Sequence, residues 1–408
     1  MTPKCGYSEA QNASGTDAFL GRKRIRLKYL CSIQTGDEDT QNSDPDGEYP
    51  FYVRSPIVER CRRYTFEGEG ILIAGDGAGA GRVFHHVDGK YAVHQRVYRL
   101  SNFSCNSDFL YYYLSNLFPI EMDKGSAQST VPSMRLPMLM NFGVFLPANN
   151  SAEKIASVLN SKCAEIDQLA ADIQSQIDTL EEYKRSIIIE AVTKGLNPDA
   201  RIRESRIFYM APTNAEWILT RIGFICRKLT RPFTSEDTAL ICSNKGKVSA
   251  RSEDASGIMV SEDHAMQGIR KGDIAIHGMD TWHGAIALSA LDGKITRVVH
   301  VCDSDADNRF IVYYLQHLAF RGVYKVISNG VRGNTSDFRS WDKIGDVYIA
   351  LPKTIDEQQK ICNYLDFKCA EIELTVETKK QQLETLAEYK KSLIYEYVTG
   401  KKKVEEVP

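Results

Sequence analysis

Two stretches of the chain carry an apolar position alternately every four and every three residues. In residues 154–193 the stripe runs through Leu159, Cys163, Ile166, Ala170, Ile173, Ile177, Leu180, Ile187 and Ala191, with Lys184 in the one gap. In residues 360–399 it runs through Leu365, Cys369, Ile372, Val376, Leu383, Leu386, Leu393 and Tyr397, interrupted at Lys379 and Lys390. A sustained 4-3 spacing keeps one seam of a helix facing a partner, so it predicts two long helices packed on each other as a coiled coil. About 40 residues at 1.5 Å each make a rod of roughly 60 Å. Lys184 and Lys390, at equivalent seam positions, read as snorkelling to solvent rather than as buried register pins.

The two stretches are also copies of one another. Aligned without a gap, roughly half of about 40 positions agree, including Lys-Cys-Ala-Glu-Ile near the start and Glu-Tyr-Lys near the end. Each copy follows Leu-Pro, at Leu146-Pro147 and Leu351-Pro352, and a fainter match pairs residues 109–117 with 310–318. Three matches in one order give the arrangement head, helix, head, helix. Strand signals lie in the heads: Gly70-Ile71-Leu72-Ile73-Ala74 and Tyr91-Ala92-Val93 in the first, Asp273-Ile274-Ala275-Ile276 and residues 296–301 in the second. Turns are read at Asp88-Gly89-Lys90 and Asp292-Gly293-Lys294.

The expected organisation is therefore an N-terminal extension (1–20), a first head (21–145), a first helical spacer (146–200) closed by Gly195-Leu196-Asn197-Pro198, a second head (201–350), and a second helical spacer with the tail (351–408). The fold class is α+β. Two globular heads, related by a pseudo-twofold axis, are joined by two long antiparallel coiled-coil helices into a dumbbell.

Length and composition agree with several packed domains: 408 residues, 43% hydrophobic and 25% charged. The 51 basic and 53 acidic residues leave a formal charge of -2. A chain that binds nucleic acid unaided usually carries a basic excess, so such a role here needs local patches or a basic partner. Ten cysteines include no C-x-x-C pair, which argues against a zinc ribbon or a thioredoxin-like site and for reduced, half-buried thiols. No run of about 18 apolar residues occurs and the first 18 residues are polar, so the reading is a cytoplasmic protein with no membrane span and no export signal.

Catalytic signatures are missing. Gly75-Asp76-Gly77-Ala78-Gly79-Ala80-Gly81 has glycine at every second position, which is neither G-x-G-x-x-G nor a Walker loop. Two readings stand for it, a turn whose backbone approaches a ligand and a plain tight bend. His277 and His283 are six apart with no H-E-x-x-H and no cysteine partner, so no metal is expected. No G-x-S-x-G elbow is present, nor the Asn/Asp-Pro-Pro-Tyr/Phe tetrapeptide of an adenine methyltransferase. The heads offer instead polar, donor-rich loops at 52–63, 76–82, 124–129, 277–283 and 332–339, whose composition suits contact with bases and phosphates as well as plain solvation.

Taken together, the Leu-Pro followed by a helix start (Glu153 to Ile155, and Glu357-Gln358-Gln359-Lys360-Ile361), the helix ending Glu-Tyr-Lys-Arg/Lys-Ser-Ile/Leu-Ile, the duplicated order, and the Gly-Asp-Ile-x-Ile strand at 272–276 resemble the specificity subunit of type I restriction-modification systems. The resemblance runs from about Arg26 to Thr399. It implies that the heads are target-recognition domains, each reading half of a split DNA site. Half-sites one helical turn apart, roughly 34 Å, would suit two readers on a rigid bar. Because the heads are only faintly alike, the implied site is asymmetric.

The resemblance further implies a non-catalytic subunit with no bound cofactor. Its partners are double-stranded DNA, two methyltransferase subunits that bring S-adenosylmethionine and flip the target base, and restriction subunits that bring ATP and Mg. Expected DNA contacts are Arg54, Ser55, Gly77, Gly79, Arg82, Lys124, Ser126, Gln128 and Ser129 in the first head. In the second they are His277, Asp280, Trp282, His283, Arg332, Asn334, Thr335, Ser336 and Arg339. The alternative is a coiled-coil adaptor whose heads bind protein or RNA.

Overall fold

The computed structural model describes residues 22–125, 133–148, 151–251, 263–328 and 338–404, and divides into two units, residues 1–174 with 380–408 and residues 175–379. The first unit opens with strands β1 (Lys23–Arg26), β2 (Ser32–Thr35), β3 (Tyr49–Tyr52), β4 (Glu59–Cys61), β5 (Phe66–Glu67), β6 (Gly70–Ala74), β7 (Phe84–Val87), β8 (Lys90–Val93) and β9 (Val97–Ser101). Helices α1 (Ser107–Gly125) and α2 (Leu136–Asn141), strand β10 (Gly143–Leu146) and the long helix α3 (Ser151–Lys194) follow.

One sheet of this head has the order β2-β9-β6-β7 and a second the order β4-β3-β8-β5, while β1 pairs antiparallel with β10. Strand β6 is buried at all five positions, which explains why it reads as a continuous apolar run and not as an alternation. Its Ile71 and Ile73 pack with Phe109, Leu110, Leu114 and Phe118 of α1, and its Leu72 packs with Val87, Tyr91 and Val93.

In the second unit the chain runs through β11 (Ile202–Arg203), β12 (Thr213–Asn214), β13 (Ile218–Arg221), α4 (Ile222–Ile225), β14 (Cys226–Lys228), β15 (Leu240–Ser243), β16 (Lys247–Ala250), β17 (Met266–Ile269), β18 (Ile274–His277), β19 (Ile286–Leu288), β20 (Gly293–Thr296) and β21 (Val299–Ser304). It continues through α5 (Asn308–Phe320), α6 (Val323–Ile327), α7 (Trp341–Gly345), β22 (Tyr348–Leu351) and the second long helix, α8 (Ile355–Thr399).

The duplication is plainer here than in the letters. Sheet β14-β21-β18-β19 repeats β2-β9-β6-β7, and the pair β13-β22 repeats β1-β10. Even single bonds recur: the Leu27 amide donates to the Phe142 carbonyl and the Ile222 amide to that of Val347, both at 2.9 Å. Each long helix ends at a glycine in the left-handed region, Gly195 (φ 85°) and Gly400 (φ 83°), where a side chain would be strained.

Within the second unit Lys184 reaches Glu373 at 2.5 Å and Lys379 reaches Gln176 at 2.5 Å, so numbers on α8 fall as those on α3 rise and the helices run antiparallel. Leu159, Cys163, Ile166, Ile173, Ile177 and Ile187 are buried along α3, as are Leu365, Cys369, Ile372, Val376 and Leu393 along α8. Leu180, Leu383 and Leu386 are half-buried. The seam lysines do not simply trail into solvent. Lys390 Nζ lies 2.6 and 2.7 Å from the two Asp167 oxygens in the first unit, as Lys184 meets Glu373 in the second, so these two gaps in the stripe are filled by inter-helix ion pairs, and the third, at Lys379, by a hydrogen bond to the Gln176 amide oxygen.

Two local expectations give way. Residues 296–301 are not one strand: β20 ends at Thr296 and β21 begins at Val299, with a turn at Arg297-Val298 that no glycine or proline advertises. Gly293 is not a turn residue either, because it lies in β20, where a Cβ would come 2.5 Å from the Thr238 carbonyl oxygen. The cysteines are more buried than half. Among the described residues only Cys105 is of intermediate exposure, all are free thiols, and burial pushes Cys31 up to about 12. No helix among the described residues is long and apolar enough to cross a membrane.

Candidate nucleic-acid interface

In the first head the chain leaves the buried strand β6 at Gly75 and is caught at once by two neighbours. The Gly75 amide donates to the Arg96 carbonyl at 2.8 Å, and the Gly75 carbonyl accepts from the Met134 amide at 2.7 Å. A Cβ on Gly75 would sit 2.8 Å from the Arg96 oxygen, so only glycine allows this three-way clasp. Asp76, next in sequence, bridges to Ser133 and gathers two arginines, Arg54 Nη1 at 3.0 Å and Arg96 Nη1 at 3.6 Å.

The glycines of the turn divide in role. Gly77 has φ 73° with open space around it, whereas a Cβ on Gly79 would collide with the Arg54 carbonyl oxygen and one on Gly81 would meet Met122. Gly79 is thus required by its close approach to the Arg54 backbone. Arg82 pairs with Asp123, and Ser55 Oγ accepts from the Ile57 amide at 3.1 Å to hold its own loop. Lys124 belongs to the last turn of α1, not to a loop, and pairs with Glu121 at 3.2 Å. Ser126, Gln128 and Ser129 lie outside the described residues.

The second head repeats the clasp with other side chains. The Gly278 amide donates to the Val298 carbonyl at 3.0 Å, and the Gly278 carbonyl accepts from the Phe338 amide at 3.0 Å. His277 Nδ1 accepts from the Asp280 amide and lies 3.2 Å from the Asp280 carboxylate, with His283 Nδ1 3.9 Å from the same group. Burial lowers the His277 pKa and the Asp280 carboxylate raises it, with burial the larger effect. Arg339 is exposed, with Nη2 3.1 Å from Met279 Sδ. Trp282 is only half-exposed and packs against the core, with its indole N–H buried and unbonded among the described residues. Arg332, Asn334, Thr335 and Ser336 lie outside the described residues.

The fold therefore brings Arg54, Gly77 and Gly79 together in one head, and His277, Asp280, His283 and Arg339 together in the other. Arg96 and Asp76 are not among the expected contacts. Asp76 lies in the glycine-rich turn singled out in the sequence and Arg96 in the short turn 94–96 between two strands, but neither position hints at a carboxylate that orients two guanidinium groups. Such pre-set donors suit base edges, since the fork of an arginine matches a guanine. Among the described residues no group of three or more His, Cys, Asp or Glu side chains could hold a metal ion.

Residues 22–190 match the family described as the Type I restriction modification DNA specificity domain. The chain is 22% identical over 316 residues to the Type I restriction enzyme EcoDI specificity subunit of Escherichia coli, covering 72% of this chain and 70% of that one. It also superposes, with a TM-score of 0.63 at 15% identity, on a chain solved in work on the complex assembly and conformational transition of the type I R-M system, over 93% of this chain and 98% of the other. That likeness establishes a common fold.

Proposed function

This chain belongs to the family of DNA specificity subunits of type I restriction-modification systems, and from that premise we propose that its two heads read the two halves of a split, asymmetric DNA site while its helices dock two methyltransferase subunits. The observation that carries the bipartite reading is the repeated clasp. One scaffold, built twice, presents Arg54, Asp76 and Arg96 in the first head and His277, Asp280 and Arg339 in the second. Equal scaffolds with unequal side chains read unequal sequences.

The outward faces of the helices supply docking surface. Tyr183, Phe367 and Leu374 are 51%, 68% and 71% exposed in the second unit, and Leu169 and Tyr389 are 48% and 55% exposed in the first. Large apolar side chains on otherwise charged helices suit a protein partner. On this reading the chain contributes no catalytic group: methyl transfer from S-adenosylmethionine and the ATP- and Mg-dependent steps belong to methyltransferase and restriction subunits in the cytoplasm. The heads contribute only selection.

Deleting the gene is expected to abolish one split N6-methyladenine motif from the genome and leave every other methylated motif in place, as read by long-read sequencing. Unchanged methylation, with a partner methyltransferase shown to be expressed, would point to the adaptor reading instead.

A further inference from the structure

The first unit carries a basic surface built from residues outside the clasp loops. Residues 22–28 hold five cations, Arg22, Lys23, Arg24, Arg26 and Lys28, and no acid. Three more, Lys401, Lys402 and Lys403, follow the end of α8. The fold joins the two runs: Arg22 donates to the carbonyls of Val398 and Tyr397, and a Cβ on Gly400 would touch the Arg22 guanidinium. Lys23, Arg24, Arg26 and the three lysines are exposed, and none of the eight forms an ion pair among the described residues. Lys28 lies over the Tyr29 ring, itself 66% exposed, and Lys401 over that of Tyr395. Glu405 and Glu406 come next in the sequence, outside the described residues, and leave the cluster strongly basic.

The duplication provides an internal control. At the same place in the second unit, β13 carries a single cation, Arg221, which is paired with Asp346 at 3.2 Å, and the first helix is followed by Gly195-Leu196-Asn197-Pro198 with no cation at all. The fold does not require the charge. Unpaired like charges held together cost self-repulsion that a polyanion would relieve. The clasp arginines, by contrast, are largely committed: Arg54 and Arg96 share the one carboxylate of Asp76 and Arg82 pairs with Asp123, so the three guanidinium groups keep one net positive charge between them.

We propose that the surface formed by residues 22–28 and 401–403 binds the phosphates of duplex DNA without regard to sequence, supplying affinity while the clasp loops supply selection. The proposal rests on the DNA-reading function above. It also answers how a chain of formal charge -2 holds DNA: the charge is concentrated, not abundant.

The test uses the full chain in complex with its methyltransferase subunits, binding duplexes with and without the recognised site across a range of salt. A variant combining Lys23→Gln, Arg26→Gln, Lys28→Gln, Lys401→Gln, Lys402→Gln and Lys403→Gln should lower the slope of log affinity against log salt by about 0.9 for each phosphate that is no longer neutralised. Both duplexes should weaken by the same factor, with the methylated motif unchanged. The variant altered only at 401–403, which touches no strand, should give roughly half the change in slope. An unchanged slope in a complex that binds DNA overturns the proposal, and so does a weakening confined to the duplex that carries the site. Failure of the unaltered complex to bind any duplex overturns the underlying reading and this proposal with it.

Discussion

Arg231→Ala is expected to destabilise the second unit by about 3 kcal/mol, the order found when one partner of a buried ion pair is removed. Its Nε and Nη2 each donate to an Asp273 oxygen at 2.6 Å, and the Asp273 side chain is only 4% exposed. Without the guanidinium, that carboxylate keeps the Arg270 amide at 2.8 Å as its remaining donor from that corner. The effect should appear in urea or thermal unfolding. Adding Asp273→Asn should recover part of the loss, because the stranded charge is gone; a double variant no better than the single one would show that the cost lies elsewhere. Asp273 sits in the Gly-Asp-Ile-x-Ile run that carries part of the family resemblance, so that motif marks a structural corner and not a reading residue.

Gly278→Val should have the larger functional effect. A Cβ there would lie 2.8 Å from the Phe338 oxygen, 3.1 Å from the Arg339 Cα and 3.1 Å from the Val298 oxygen, all backbone atoms with no flexible end to yield. Overpacking of this kind costs about 2 kcal/mol, which becomes roughly a thirtyfold loss in binding if it displaces the segment bearing Arg339. The loss should fall on the second half-site alone. Gly75→Val, in the equivalent clasp, should damage the other half in the same way. Competition binding with duplexes altered in one half at a time distinguishes the two, and equal damage to both halves from either variant would contradict the assignment.

What the sequence made legible follows from where the information is stored. Side-chain periodicity specified the helices, so the 4-3 stripes located α3 and α8 and most of their buried seam. Buried, uninterrupted strands such as β6 were equally visible. The likeness of the heads was faint because it is carried by backbone: Gly75 with Arg96 and Gly278 with Val298 make one hydrogen bond with unrelated partners. A glycine misled where its role is close approach rather than turning, as at Gly293. The turn at Arg297-Val298 was hidden because its residues are ordinary strand formers. Single polar loops could be picked out by composition, but not the Asp76 carboxylate that pairs Arg54 with Arg96, a contact between residues far apart in the chain.

If each head reads its own half of one DNA site, the heads should be exchangeable one at a time. Residues 21–145 would be replaced by the corresponding head of another specificity subunit and N6-methyladenine mapped across the genome. The expected outcome is a split motif with one half replaced, the other half intact and the spacer length unchanged. A motif altered in both halves, or in neither, would contradict this division of labour.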